Sequence, residues 1–132
     1  MTQRQNISSG GPWEARFGYS RAVRIGHHVN VSGTTAAGAD SKPASLDAYE
    51  QTKVILDKII AALAEAGAGP QDVVRTRIFV TNMDDLEAVG RAHGEVFGEI
   101  RPCATMVEVT RLVDPDLVVE IEADAILSDD AA

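Results

Sequence analysis

Cysteine is almost missing from this sequence. Cys103 is the only thiol, so no intramolecular disulfide can close, and no CxxC pair or Cys/His cluster exists to hold zinc. That usage fits a reducing compartment, and a cytoplasmic location is the expectation. Basic residues are scarce as well. Twelve stand against 20 acidic ones, for a formal net charge of −8, which opposes binding to phosphate backbones and leaves nucleic acid outside the expected partners. Long apolar runs are absent. Nowhere do 18 consecutive apolar residues occur, and the opening MTQRQNISSGGPWEARFGYS has no apolar h-region, so neither membrane spanning nor export is supported. No internal repeat, low-complexity tract or cofactor motif appears, and no cofactor is expected.

The residues present are enough for one core. Hydrophobic residues make up 45% of 132, consistent with a single domain over 1–132 whose polar or acidic ends, 1–12 and 128–132, fray. Arg21–Ile25 and Val29–Ser32 alternate around Gly26-His27-His28 and read as a hairpin. Gly33 to Pro43, with its glycines and small residues, reads as a loop. Ser45 can cap a helix closed by Gly67, with Asp47 and Glu50 in its first turn and a stripe of Tyr49, Leu56, Ile59, Ile60 and Leu63. Asp72 to Val80 alternates as a strand, with Val74, Thr76, Ile78 and Val80 on one side and Arg75, Arg77 and Phe79 on the other. Asp84 or Asp85 can cap a second helix over Leu86–Phe97, with Leu86, Val89, His93 and Phe97 on one stripe. Ala104–Leu112 and Leu117–Leu127 are further strands, joined by the turn Asp114-Pro115-Asp116. The order β-β-α-β-α-β-β predicts an α+β fold, a mixed sheet with two helices packed on one face. On the other face, Arg75 and Arg77 can oppose Glu120, Glu122 and Asp124, and Phe79 and Ile126 there suggest an oligomer interface.

Several segments in order resemble the Rid family (YjgF/YER057c/UK114). They are Gly18-Tyr19-Ser20-Arg21-Ala22, Val31-Ser32-Gly33, Arg75 to Met83, and Val107-Glu108-Val109 followed by Val119-Glu120-Ile121-Glu122-Ala123. The resemblance implies a chorismate-mutase-like protomer, a homotrimer, and small-molecule clefts between subunits that hydrolyse imines and enamines to 2-oxo acids and ammonia. It implies Tyr19 and Glu120 as the catalytic pair, Glu120 activating water, and Ser32, Gly33 and Met106 as ligand-binding positions. The family's carboxylate-binding arginine stands two residues after the proline. Here Pro102-Cys103-Ala104 puts Ala104 there, so the bidentate anion clamp is missing and specificity should be altered. Arg21, Arg101 and Arg111 are the candidates to replace it, Arg21 foremost because it follows Tyr19 by two residues.

Each of these residues has a plainer reading. Glu120 stands evenly between a general base and half of a structural ion pair, and Tyr19 fits an edge-packing role equally well. His93 with Glu95 and Glu99 lacks the spacing of a metal face, and no metal is expected. His27 and His28 read as solvated turn residues. Cys103, with no histidine placed to activate it, reads as a small buried or interfacial thiol. The functional alternatives are therefore an imine or enamine deaminase of altered specificity and a non-catalytic trimer that binds or senses a metabolite.

Overall fold

The computed structural model describes residues 3–38 and 46–129. Its longest element shows how local chemistry fixes the rest. Asp47 accepts from the Glu50 N–H at 2.8 Å while the Glu50 carboxylate accepts from the Asp47 N–H at 3.1 Å. This reciprocal box satisfies two of the free donors at a helix start. It opens the helix Ala48–Glu65, which ends at Gly67 in the left-handed region (φ 84°), a conformation glycine adopts without steric cost. Ser45, the cap expected from sequence, lies outside the described residues. Ile55, Leu56, Ile59 and Leu63 are fully buried, each side chain contributing about 1.5–3 kcal/mol by leaving water. Tyr49 and Ile60 are only half-buried. Tyr49 sits between the two long helices instead, its hydroxyl donating to Glu95 at 2.7 Å with the Arg91 guanidinium 4.4 Å from its ring centroid.

The strands form one mixed sheet. In chain order they are β1 (Arg4–Ile7), β2 (Ala22–Ile25), β3 (His28–Thr34), β4 (Val73–Val80), β5 (Cys103–Glu108) and β6 (Val119–Ile126), arranged β1-β2-β3-β6-β4-β5. All neighbours are antiparallel except β4 and β5. Among the described residues three α-helices accompany them: α1 (Pro12–Phe17), α2 (Ala48–Glu65) and α3 (Leu86–Phe97). The α+β class and mixed sheet match the sequence reading, and α2 and α3 pack together over the apolar core.

Several details differ from expectation. Part of the segment expected to fray is a strand: Arg4–Ile7 pairs antiparallel with β2, and α1 follows it. Ile7 explains the anchoring, since it is the one buried side chain of β1 and joins the main core. The ladder β4–β6 shifts register between Val73 and Arg75. That bulge turns Val74 outward, 41% exposed, so the buried series is Val73, Thr76, Ile78 and Val80. On α3, Val89 and Phe97 are buried, but Leu86, at the first turn, is exposed. Cys103 is exposed where β5 begins. Arg77 bridges Glu122 at 3.3 Å and Asp124 at 3.0 Å, as the facing-strand pattern requires, while Glu120 stands opposite Phe79. Among the described residues no helix is long and apolar enough to cross a membrane.

Candidate functional site

The candidate site grows from the place where α1 meets the first hairpin. Pro12 can occupy the first turn because its missing N–H is not needed there, and Gly18, at φ 77°, closes the helix by donating to the Glu14 carbonyl at 2.8 Å. The reversal places Tyr19, Ser20 and Arg21 beside β3. The Arg21 N–H donates to the Ile7 carbonyl at 2.8 Å, and the Ser32 N–H to the Arg21 carbonyl at 2.9 Å. Ladder bonds on both sides therefore hold the backbone of Arg21.

The far end of β3 is irregular. Val31 pairs with Ala123 but Thr34 with Ile121, so three steps on β3 match two on β6. Such a bulge re-aims the groups beside it. Gly33 lies within it, and a Cβ on Gly33 would overlap Glu120 Oε2. Glycine here lets the carboxylate rest against the main chain. Arg21 Nη1 donates to the Gly33 carbonyl at 2.7 Å and to Thr34 Oγ1 at 3.0 Å, and Thr34 Oγ1 in turn donates to the Ser32 carbonyl at 2.8 Å.

These groups line one cleft of about 880 Å³, together with Trp13, Glu14, Phe17, Tyr19, Lys58 and Val113. Burial pushes the Glu120 carboxyl above its ordinary value; the Arg21 charge works against the rise, and the Glu122 carboxylate adds to it. Burial draws the Lys58 ammonium down, and repulsion from Arg21 reinforces that. Glu14 is buried, which alone would raise its carboxyl. Hydrogen bonds from Ser9 and Ser8 outweigh burial and leave it below the ordinary range. Two carboxyls displaced in opposite directions are the arrangement from which acid and base roles separate.

Not every expected residue meets here. Ser32 Oγ donates to the Ser20 carbonyl at 2.6 Å and faces an adjoining, more open depression that Tyr19 also lines. Ala104 and Met106 lie on β5, separated from β6 by β4, and neither lines the cleft. Of the three arginines named from sequence as replacements for the clamp, Arg21 alone lines the cleft. Arg101 and Arg111 are exposed elsewhere.

The family model described as Endoribonuclease L-PSP matches residues 12–127. The chain belongs to the Rid (YjgF/YER057c/UK114) family. A Mycobacterium tuberculosis member of that family is 50% identical with a TM-score of 0.87, and the match covers 95% of this chain and 100% of that one. A Streptomyces coelicolor protein without assigned function is 42% identical, over 92% of this chain and 90% of its own. Escherichia coli TdcF, named provisionally as a reactive intermediate deaminase, is 26% identical over 83% of this chain and 87% of its own. Its crystal structure with bound serine superposes with a TM-score of 0.77, covering 93% of this chain and 94% of that one.

Sequence reasoning missed much of the lining of this Rid cleft, Lys58, Trp13 and Glu14 among it. Lys58 lies between the apolar positions of α2, where a lysine ordinarily marks a solvated face, and only tertiary packing brings it to Arg21. Trp13 and Glu14 lie just after the segment 1–12 expected to fray, in a stretch to which the sequence reading gave no element. The proline and glycine that bracket α1, Pro12 and Gly18, were the available signal.

Proposed function

We propose that this Rid protein hydrolyses imines or enamines in a cleft shared between subunits of a homotrimer, with a specificity different from that for the smallest 2-imino acids. The observation that carries the reading is the Glu120 carboxyl, set over Gly33 in a cleft that also holds Tyr19 and Arg21. A carboxyl raised above its ordinary value is a stronger base than a solvated carboxylate, which suits it to accept a proton. Glu120 takes a proton from a water molecule as its oxygen adds to the C=N carbon. The proton then goes to nitrogen to give the carbinolamine, and transfer of its hydroxyl proton to the amine, through the same carboxyl, breaks the C–N bond, releases ammonia and leaves the carbonyl. An enamine enters the same path after protonation at carbon.

The position of β5 supports the shared cleft. Its outer edge pairs with no other strand among the described residues, which is compatible with a second copy packing there and, on this reading, bringing its Glu120 carboxyl to Ala104 and Met106. The likeness to TdcF supports the reaction class. The −8 charge speaks against the nuclease named in the family description, because a phosphate backbone would be repelled.

The test adds purified protein to a pyridoxal-phosphate enzyme that generates 2-iminopropanoate and a bulkier imine in separate reactions, with semicarbazide as trap. Faster 2-oxo acid and ammonia formation, greater for the bulkier imine, is expected. No acceleration of either at high protein concentration would leave the metabolite-binding alternative.

A further inference from the structure

We propose that Arg21 and Lys58 together form the carboxylate seat of the cleft, and that the ligand's flat apolar body lies along the rings of Trp13 and Phe17. The ligand class is then an aromatic or similarly bulky carboxylate. The inference rests on the reading of this cleft as a small-molecule site.

The two cations come from different elements and converge on one short stretch of chain. Arg21 donates through Nη1 to Gly33 and Thr34. Lys58, from α2, donates to the Thr35 carbonyl at 2.9 Å and to the Ala37 carbonyl. Every one of these acceptors is neutral. Among the described residues neither cation forms an ion pair with a carboxylate. Arg21 keeps Nη2 and Nε without a hydrogen bond there, and the Lys58 ammonium keeps a third N–H. Two positive charges are thus hydrogen-bonded to dipoles in one cleft, with donors to spare, although the Glu14, Glu65 and Glu120 carboxylates also line it and Arg21 acts on Glu14 and Glu120 at a distance. Their mutual repulsion, added to burial, is what draws Lys58 down. An anion between them removes that repulsion and receives charge-assisted hydrogen bonds from both.

The other wall sets the shape of the ligand. Trp13 and Phe17 stack in parallel, 5.3 Å between ring centroids and 5° between planes, yet they remain 50% and 65% exposed. Aromatic faces are costly to leave in water and favour offset stacking on another flat group. A cleft of about 880 Å³ also falls in the range that accommodates ligands much larger than a three-carbon acid. Charge at one end and stacked rings at the other suit a carboxylate with a ring attached.

Trp13 is the only tryptophan and stands on the cleft wall, so its fluorescence reports occupancy. Full-length protein is titrated with phenylacetate, with acetate, which lacks the ring, and with 2-phenylethanol, which lacks the charge. Saturable phenylacetate binding is expected, with the other two weaker by roughly tenfold or more. Lys58→Met, which keeps the stem and removes the charge, should weaken phenylacetate by about tenfold and leave 2-phenylethanol unchanged, while Lys58→Arg should restore binding. Equal affinity for phenylacetate and 2-phenylethanol, or no saturable change, overturns the seat on the unaltered protein, without need of a variant. Unchanged phenylacetate affinity in a folded Lys58→Met protein overturns the role of Lys58. Phenylacetate binding without imine hydrolysis removes the catalytic reading and leaves the seat; hydrolysis without phenylacetate binding does the reverse.

Discussion

Replacing Glu120 by glutamine should make the protein more stable at neutral pH, and the gain should depend on pH in one direction only. Glu120 is held above its ordinary value of 4.5 by burial, against the opposing charge of Arg21. A carboxyl raised in the fold binds a proton more readily there than in the unfolded chain. Its contribution is therefore fully present below 4.5 and is lost as pH rises through the folded pKa. Within that window one proton changes stability by at most about 1.4 kcal/mol per pH unit. For a chain of this size, that ceiling corresponds to roughly 5 °C in Tm per unit. Partial exposure of the carboxyl shortens the window without changing the sign. Glutamine keeps the shape and does not titrate, so subtracting the two Tm curves cancels every other group that both proteins share.

The assay is thermal unfolding followed by circular dichroism from pH 4 to pH 8, at constant ionic strength. The Tm of Glu120→Gln relative to the unaltered protein should rise with pH and then level off. Adding Arg21→Gln should widen the window, because the charge that lowers the Glu120 pKa has gone. A difference that stays flat across the range would refute the claim that burial dominates at Glu120. A difference that falls with pH would mean that Glu120 is an ion-pair residue, the plainer reading of its position.

Glu14 should behave with the opposite sign. Its carboxylate accepts from the Ser9 N–H at 3.1 Å and the Ser9 hydroxyl at 2.5 Å and is held below 4.5, so its stabilisation exists above that pH and is lost as pH falls through the folded pKa. Glu14→Gln should cost about 1–2 kcal/mol in urea unfolding at pH 7, and less in acid; an equal cost at pH 3 would argue against it. Gly33→Ala should push the Glu120 carboxylate aside while leaving the sheet intact, because the atom it meets is the end of a flexible side chain. Imine hydrolysis is expected to fall about a hundredfold, as for a misplacement of roughly 1 Å, with little change in Tm. Ala104→Arg should increase activity toward 2-iminopropanoate by supplying a bidentate clamp; an unchanged rate with it in steady-state assays would show that the neighbouring cleft wall differs as well.

The parts that periodicity controls were readable in the sequence. The α3 boundaries and the β4 alternation beyond Thr76 follow from side chains that must face one core, and the β2–β3 turn follows from Gly26, at φ 61°. Positions fixed by a single distant neighbour were not. Ile7 anchors β1 only because β2 passes beside it, and the bulge that exposes Val74 changes no residue type. The cleft shows the same division more sharply. Tyr19, Gly33 and Glu120 belong to segments that resemble the family, and Arg21 could be singled out because it follows Tyr19 by two residues, a spacing that keeps both on one side of an extended chain. Lys58 is 37 residues further along, on a helix face whose pattern reads as solvated, and it becomes part of the site only when α2 packs under the stretch from Gly33 to Ala37. On the proposed reading Ala104 and Lys58 belong together: the carboxylate seat lies on the floor of the chain's own cleft, where Arg21 and Lys58 meet, instead of at the β5 edge.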